Sequence, residues 1–423
     1  MKAAKDAKIR LTAMNFLQFF MWGAWLISMG RYFGNVMHFD GAQIGNLFAT
    51  GGIASIIMPA LMGIVADRWV NAERLLGICY LLASVLLVVL GLLPAGTPYS
   101  TVFLVVLLLN FFYMPTLSLS YTVSYSVLNS VGADVVKSFP PIRVWGTVGF
   151  IVAMWIVNIL GFMDSPNQFF FGAGAALCAT LYSLSLPKVP HGLNKEKAKG
   201  LLSSLGLDAL VMLKDTKMAV FFIFSILLGA ALQITNAYGT LFLDSFANNE
   251  LFKESFAVRY PNILLSLSQI SETLFILAIP FFLKRFGIKN VMLMSFFAWF
   301  LRFGLFSIGD PGFPGIISLL LSMVVYGMAF DFFNISGSIF VESETPPSMR
   351  ASVQGLFILA TNGLGAVIGS SLSGQVVQAY TVEGSVQWST VWAIFSGYAL
   401  ITGILFLFLF RYKARPNEEI KHI

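Results

Sequence analysis

From residue 11 to residue 410 the chain consists almost wholly of apolar runs about 20 residues long, separated by short polar turns. A run of that length can lie in a bilayer only if every backbone N–H and C=O finds its partner within the segment, which makes each run a helix. On that basis the sequence divides into about twelve spans. Their cores are 11–33, 43–66, 75–93, 101–128, 142–162 and 168–187 in the first half. In the second half they are 218–246, 261–283, 291–308, 314–341, 351–378 and 388–410. Composition agrees: 57% of the 423 residues are hydrophobic and 11% are charged, where a soluble domain carries about 25%.

The net charge of +6 raises the question of a nucleic-acid partner. The placement of the charges answers it, because the basic residues are scattered over short loops instead of forming one patch. With a cytoplasmic N-terminus, roughly 21 of the 26 basic residues fall on the cytoplasmic side, among them Lys2, Lys5, Lys8, Arg10, Lys195, Lys197, Lys199 and Arg415. Arg31, Lys253 and Arg259 fall outside, and Arg143 and Arg302 lie within spans. The expectation is a multi-pass inner-membrane protein with both termini in the cytoplasm. The basic start "MKAAKDAKIR" reads as a tail leading into the first span, not as a cleaved signal. Cys79 and Cys178 both sit in apolar runs, so no disulfide framework is expected.

The longest polar stretch, 188–217, lies near mid-chain. It divides the protein into an N-terminal six-helix bundle (1–187), a cytoplasmic connector (188–217) and a C-terminal six-helix bundle with a short cytoplasmic tail (218–423). Within the connector, "LLSSLGLDALVML" has the pattern of a short amphipathic surface helix. The halves echo each other. "PALMGIVADRWVNAERLL" follows the second span and "PFFLKRFGIKNVML" the eighth, each with a proline inside the span (Pro59, Pro280) and a basic turn after it. Such an echo is expected of a parallel duplication. "GIVADR" also resembles the G-x-x-x-D-R signature of the major facilitator superfamily. In that reading Gly63 permits close helix approach, and Asp67, beside Arg68, meets the N-terminus of a neighbouring helix. The plainer reading is a solvated loop.

Ionisable residues inside spans are costly and point to function. Four occur: Arg143, Glu272, Arg302 and Asp331. Arg143 lies near enough to a span end to snorkel, and Arg302 is expected to pair with a loop acid such as Asp310. Glu272 and Asp331 are too short to reach the interface. Around them the polar residues fall on helix faces. Gln269, Glu272 and Thr273 share a face in span 8, as do Gln233 and Asn236 in span 7. Tyr326, Phe330, Asp331 and Asn334 lie in span 10, Arg143, Thr147 and Phe150 in span 5, and Gln18 and Trp22 in span 1. Amides cementing helix pairs are one explanation. The other is a shared polar cavity in which amides and carboxylates bind hydroxyls while Phe150, Tyr326 and Phe330 stack on a flat ring. That chemistry suits a nucleobase joined to a sugar, and a sugar alone could use the same parts. His38, His191 and His422 fall in loops or the tail, which leaves Glu272 and Asp331 as the groups for proton coupling, with Asp331 opposite Arg143 as one arrangement.

Five motifs together resemble the bacterial nucleoside:proton symporter family of the major facilitator superfamily: "FLQFFMWGAWL", "FPPIRVWGTVGF" (139–150), "LQITN" (232–236), "SQISETLFI" (268–276) and "FDFFNISGS" (330–338). The resemblance runs over essentially the whole chain. It implies an all-α membrane protein of twelve helices in two six-helix bundles, alternating access, and proton-driven uptake of purine and pyrimidine nucleosides. It implies that Arg143, Thr147, Gln233, Asn236, Gln269, Glu272, Tyr326, Phe330 and Asp331 line the site. No cofactor, metal or nucleic acid is expected, and the chain is expected to work as a monomer in the lipid bilayer. A sugar:proton symporter of the same architecture and a non-transporting receptor remain as rivals. An enzyme is disfavoured, because the sequence holds no metal-ligand cluster, nucleophile elbow or phosphate loop.

Overall fold

The computed structural model describes residues 2–189, 207–346 and 349–412. Most of the connector and the C-terminal tail, including Lys195, Lys197, Lys199, His191, Arg415 and His422, lie outside the described residues. The amphipathic stretch predicted in the connector is described only in part, as a 3-10 helix at Leu207–Lys214. It stops at Asp215, whose carboxylate accepts from the N–H groups of Lys217 (2.7 Å) and Met218 (3.3 Å) and so caps the next helix.

The membrane helices follow the apolar runs. In order they are Lys2–Gly23 with Leu26–Asn35, Gly41–Arg68, Ala72–Leu92, Tyr99–Ser130, Val135–Ile159, Asn167–Ser183, Thr216–Ser245, Pro261–Ile308, Gly315–Ala329 with Asp331–Glu344, Arg350–Ile358 continuing to Ala379, and Trp388–Leu409. Nine helices among the described residues are individually long and apolar enough to cross a membrane. The number of spans is twelve. The first span carries charges and bends at Ala24–Trp25, the sixth has 17 residues, and Pro261–Ile308 contains two spans. Those two separate at Gly287, whose φ of 76° and ψ of 164° suit glycine and no other residue.

The described residues form two compact units, one drawn from Met1–Phe39 and Thr50–Leu201, the other from Asp40–Ala49 and Leu202–Ile423. Internally they use the same device. In the first unit span 1 packs on span 5 through glycines: a Cβ on Gly149 would stand 2.4 Å from the Phe16 carbonyl oxygen, and one on Gly23 2.4 Å from that of Phe150. In the second unit span 7 packs on span 11 the same way. A Cβ on Gly229 would meet the Thr361 carbonyl oxygen at 2.1 Å, and one on Gly369 the Ala230 Cα at 2.4 Å. Small residues that let backbones meet are the usual means of holding helices together where lipid removes the hydrophobic drive. The third and sixth spans are joined by Ser84 Oγ donating to the Ala173 carbonyl (2.8 Å), and the ninth and twelfth by Ser396 Oγ donating to the Phe300 carbonyl (2.9 Å). First-on-fifth and third-on-sixth thus recur in both units, a repeat of packing that matches the repeat of loops.

One expectation for the loop after span 2 is corrected. Among the described residues nothing lies within 4 Å of where a Gly63 Cβ would stand, so the close helix approach expected of Gly63 is not found among them. Asp67 and Arg68 are exposed in the last turn of Gly41–Arg68, and neither forms an ion pair among the described residues. Both charges are exposed at the helix end, which matches the plainer reading of the motif. Cys79 and Cys178 are both free thiols.

Candidate functional site

In the first unit, Arg143 is half-buried and held from two sides. Its Nε donates to the Tyr121 hydroxyl at 3.1 Å, and its guanidinium carbon lies 4.0 Å from the centre of the Phe19 ring. A guanidinium stacked on an aromatic face and hydrogen-bonded at one edge is fixed in orientation. It is therefore not a snorkelling side chain. Thr147, one turn along, is half-buried, and Phe150, 8% exposed, stands edge-on to Trp22 at 6.0 Å. The indole N–H of Trp22 is buried with no acceptor among the described residues.

Gln18 has a different role from the one its sequence position suggests. Its amide donates to Thr116 Oγ1 (2.8 Å) and to the Tyr113 hydroxyl (3.2 Å), and its carbonyl oxygen accepts from the Tyr80 hydroxyl. Both amide protons are engaged, so Gln18 ties span 1 to spans 3 and 4. It belongs to the cement of the bundle.

In the second unit, helical hydrogen bonding is interrupted at Phe330, between Gly315–Ala329 and Asp331–Glu344. The backbone stays helical through this point, since Phe330 keeps φ −94° and ψ −51° and its carbonyl accepts from the Asn334 N–H at 3.0 Å, so the irregularity is local to one span running Gly315–Glu344. Asp331 is 8% exposed. The Ala329 carbonyl, at the irregularity, accepts from the Ser295 hydroxyl of span 9. Phe330 is half-buried, and its ring pairs with no other aromatic ring among the described residues.

Arg302 corrects the sequence reading. It is 2% exposed and does not pair with Asp310. Its Nη1 donates to Ser268 Oγ (3.1 Å) and to the Ser322 carbonyl (3.0 Å), and its guanidinium lies 4.3 Å from the centre of the Tyr326 ring. Asp310 instead accepts from the Gly312 N–H at 2.7 Å and shapes its own loop. Tyr326 lies within electrostatic reach of Glu272, Arg302 and Asp331, and Arg302 within reach of Glu272. Three of the four ionisable residues singled out inside spans are thus one cluster around a tyrosine.

The amides expected at the site have hydrogen-bonding capacity left over among the described residues. Gln233 and Asn236 are half-buried one turn apart on Thr216–Ser245, and neither hydrogen-bonds another described residue. Gln269 is half-buried one turn before Glu272, and its Oε1 is buried without a partner among the described residues. Within the second unit, spans 7 and 8 carry these amides, and spans 8, 9 and 10 carry Glu272, Arg302, Tyr326 and Asp331. Sequence reasoning missed Tyr121, Phe19, Ser268 and Ser322, the residues that orient the two arginines. Hydroxyls and phenyl rings are common in spans, and nothing in their spacing marked these.

The recurrence of first-on-fifth and third-on-sixth packing in two units of membrane helices fits a multi-pass transporter of the major facilitator fold, and solved structures agree. A crystal structure of the nucleoside transporter NupG aligns with a TM-score of 0.89 at 49% sequence identity, covering 96% of this chain and 100% of that one. A structure of a NupG mutant aligns at 0.92 and 48%, with the same coverage. A family model described as "Nucleoside H+ symporter" matches residues 5–415. Among similar proteins, a xanthosine permease of Escherichia coli (strain K12) is 52% identical over 414 residues, which is 98% of each chain. Nucleoside permease NupG of the same organism is 49% identical over 408 residues, covering 96% of this chain and 97% of the relative. The chain belongs to the nucleoside H+ symporter family. Its activity is nucleoside uptake by proton symport, and it is not an enzyme.

Proposed function

We propose that the protein carries purine and pyrimidine nucleosides across the bacterial inner membrane by alternating access, working as a monomer with both termini in the cytoplasm. Gln233, Asn236, Gln269 and Glu272 bind the ribose hydroxyls, and Phe330 stacks on the base. Arg143, Thr147 and Phe150 are the first unit's contribution to recognition, and Tyr326 orients the acids. Glu272 and Asp331 carry the coupled proton: they are acids inside spans, too short to reach the interface, and an ionisable residue there is costly unless it serves a function. Residues 1–187 and 218–423 act as the two bundles and 188–217 as their connector.

The observation that supports this reading is that Tyr326, whose ring centre lies 4.3 Å from the buried Arg302 guanidinium, shares its span with Phe330 and the buried Asp331. The test is uptake by the purified protein in liposomes, with a panel of labelled nucleosides and hexoses, with and without an imposed pH gradient. Nucleoside accumulation that needs an inwardly directed proton gradient supports the proposal. Hexose accumulation, or accumulation indifferent to the gradient, overturns it.

A further inference from the structure

One groove in the first unit lies outside the polar residues described above. It is about 610 Å³ in volume and runs along the outer face of Lys2–Gly23, with Lys5 and Lys8 at one end and Phe16, Leu17 and Trp145 at the other. The lining positions on the helix recur every three to four residues, so they form one stripe. Trp145 comes from Val135–Ile159 and is half-exposed at 49%, forming a side wall. Ala13 lies in the stripe, and its small side chain leaves room between the ends.

The dimensions and the charge both point to one occupant. Lys5 to Leu17 is twelve helical steps, about 18 Å, close to the half-thickness of a hydrocarbon core about 30 Å deep. The groove is therefore about one leaflet long. Its basic end precedes the apolar core of span 1, at headgroup level, and its aromatic end lies where acyl chains run. The two lysines are exposed and form no ion pair among the described residues, while the nearest acid, Asp6, is engaged by Arg10 at 3.1 Å. Arg10 is held in turn by the Ser185 carbonyl at 2.7 Å. The local excess of positive charge is left to the lysines. We propose that this groove is a binding site for one anionic phospholipid, its phosphate headgroup between Lys5 and Lys8 and an acyl chain along Ala13, Phe16 and Trp145. Basic pockets at the headgroup end of membrane helices recognise anionic lipids in this way.

The experiment is native mass spectrometry of the purified full-length protein with equimolar phosphatidylglycerol and phosphatidylethanolamine of matched acyl chains. The wild type is expected to retain one phosphatidylglycerol with a preference of roughly thirtyfold, the size expected of two lysines at an anionic headgroup. The double variant Lys5→Gln/Lys8→Gln is expected to lose the preference, and Lys5→Arg/Lys8→Arg to keep it. Trp145→Ala is expected to weaken retention of both lipids without changing their ratio. The lysine side chains are exposed and form no hydrogen bond or ion pair among the described residues, so an unchanged melting temperature identifies a folded variant. Equal retention of the two lipids by the wild type, an undiminished preference in Lys5→Gln/Lys8→Gln, or a dimer that excludes lipid from the groove would each overturn the proposal.

Discussion

The guanidinium of Arg302 lies 4.3 Å from the centre of the Tyr326 ring and is fastened by its Nη1 to Ser268 and to the Ser322 carbonyl. One cation from span 9 is thereby bound to spans 8 and 10, the two that carry Glu272 and Asp331. A buried guanidinium stacked on a ring and hydrogen-bonded at one nitrogen is fixed in orientation.

Arg302→Lys keeps the charge and loses the planar stacking and the forked donor geometry. A hydrogen bond to a charged group is worth about 1.5–3 kcal/mol, so the variant is expected to melt at a lower temperature and to take up nucleoside more slowly. Thermal melting and liposome uptake, compared side by side, check this. Wild-type values in both would show that the arginine is incidental.

Glu272→Gln and Asp331→Asn separate binding from coupling. Both keep the shape and remove the titrating group. Loss of a charge-assisted ribose contact predicts affinity weaker by roughly tenfold or more for Glu272→Gln. The variant at the coupling acid should lose gradient-driven accumulation yet retain exchange of labelled for unlabelled nucleoside. If both variants accumulate nucleoside normally under a pH gradient, neither acid carries the proton.

Phe330→Ala removes the ring proposed to stack on the base. Base–aromatic stacking is worth about 1–3 kcal/mol, so the KM for uptake should rise roughly tenfold while Phe330→Tyr stays near wild type. A KM unchanged in Phe330→Ala would remove this residue from the site.

Gly229→Val tests the packing of span 7 on span 11. A Cβ there would stand 2.1 Å from the Thr361 carbonyl oxygen, which is backbone and cannot turn aside. Overpacking of this sort costs about 1–3 kcal/mol or more. A clear fall in melting temperature is expected, with Gly174→Val, where nothing lies within 4 Å, as the neutral control.

The spans were readable because hydropathy and span length are properties of a segment by itself. The burial of Asp331 was readable for the same reason, since a short acid in the middle of an apolar run cannot reach the interface. Arg302 was misread because its partners are properties of neighbouring segments. Span 9 folds back beside spans 8 and 10, and Ser268 and Tyr326 reach it from 34 and 24 positions away, whereas Asp310, eight positions along, turns to its own loop. Gln18 was misread for a related reason. An amide that is saturated by Tyr80, Tyr113 and Thr116 and an amide that awaits a ligand are the same letter in a sequence. The irregularity at Phe330 left no mark either, as no proline or glycine stands at the position itself.

That irregularity has a guardian outside its own helix. The Ser295 hydroxyl supplies the Ala329 carbonyl from another span, so the bearing of the acid that follows depends on a side chain never in touch with cargo. Selection for transport should therefore reach this serine indirectly, and a loss-of-function screen should recover it among residues that look like inert scaffold.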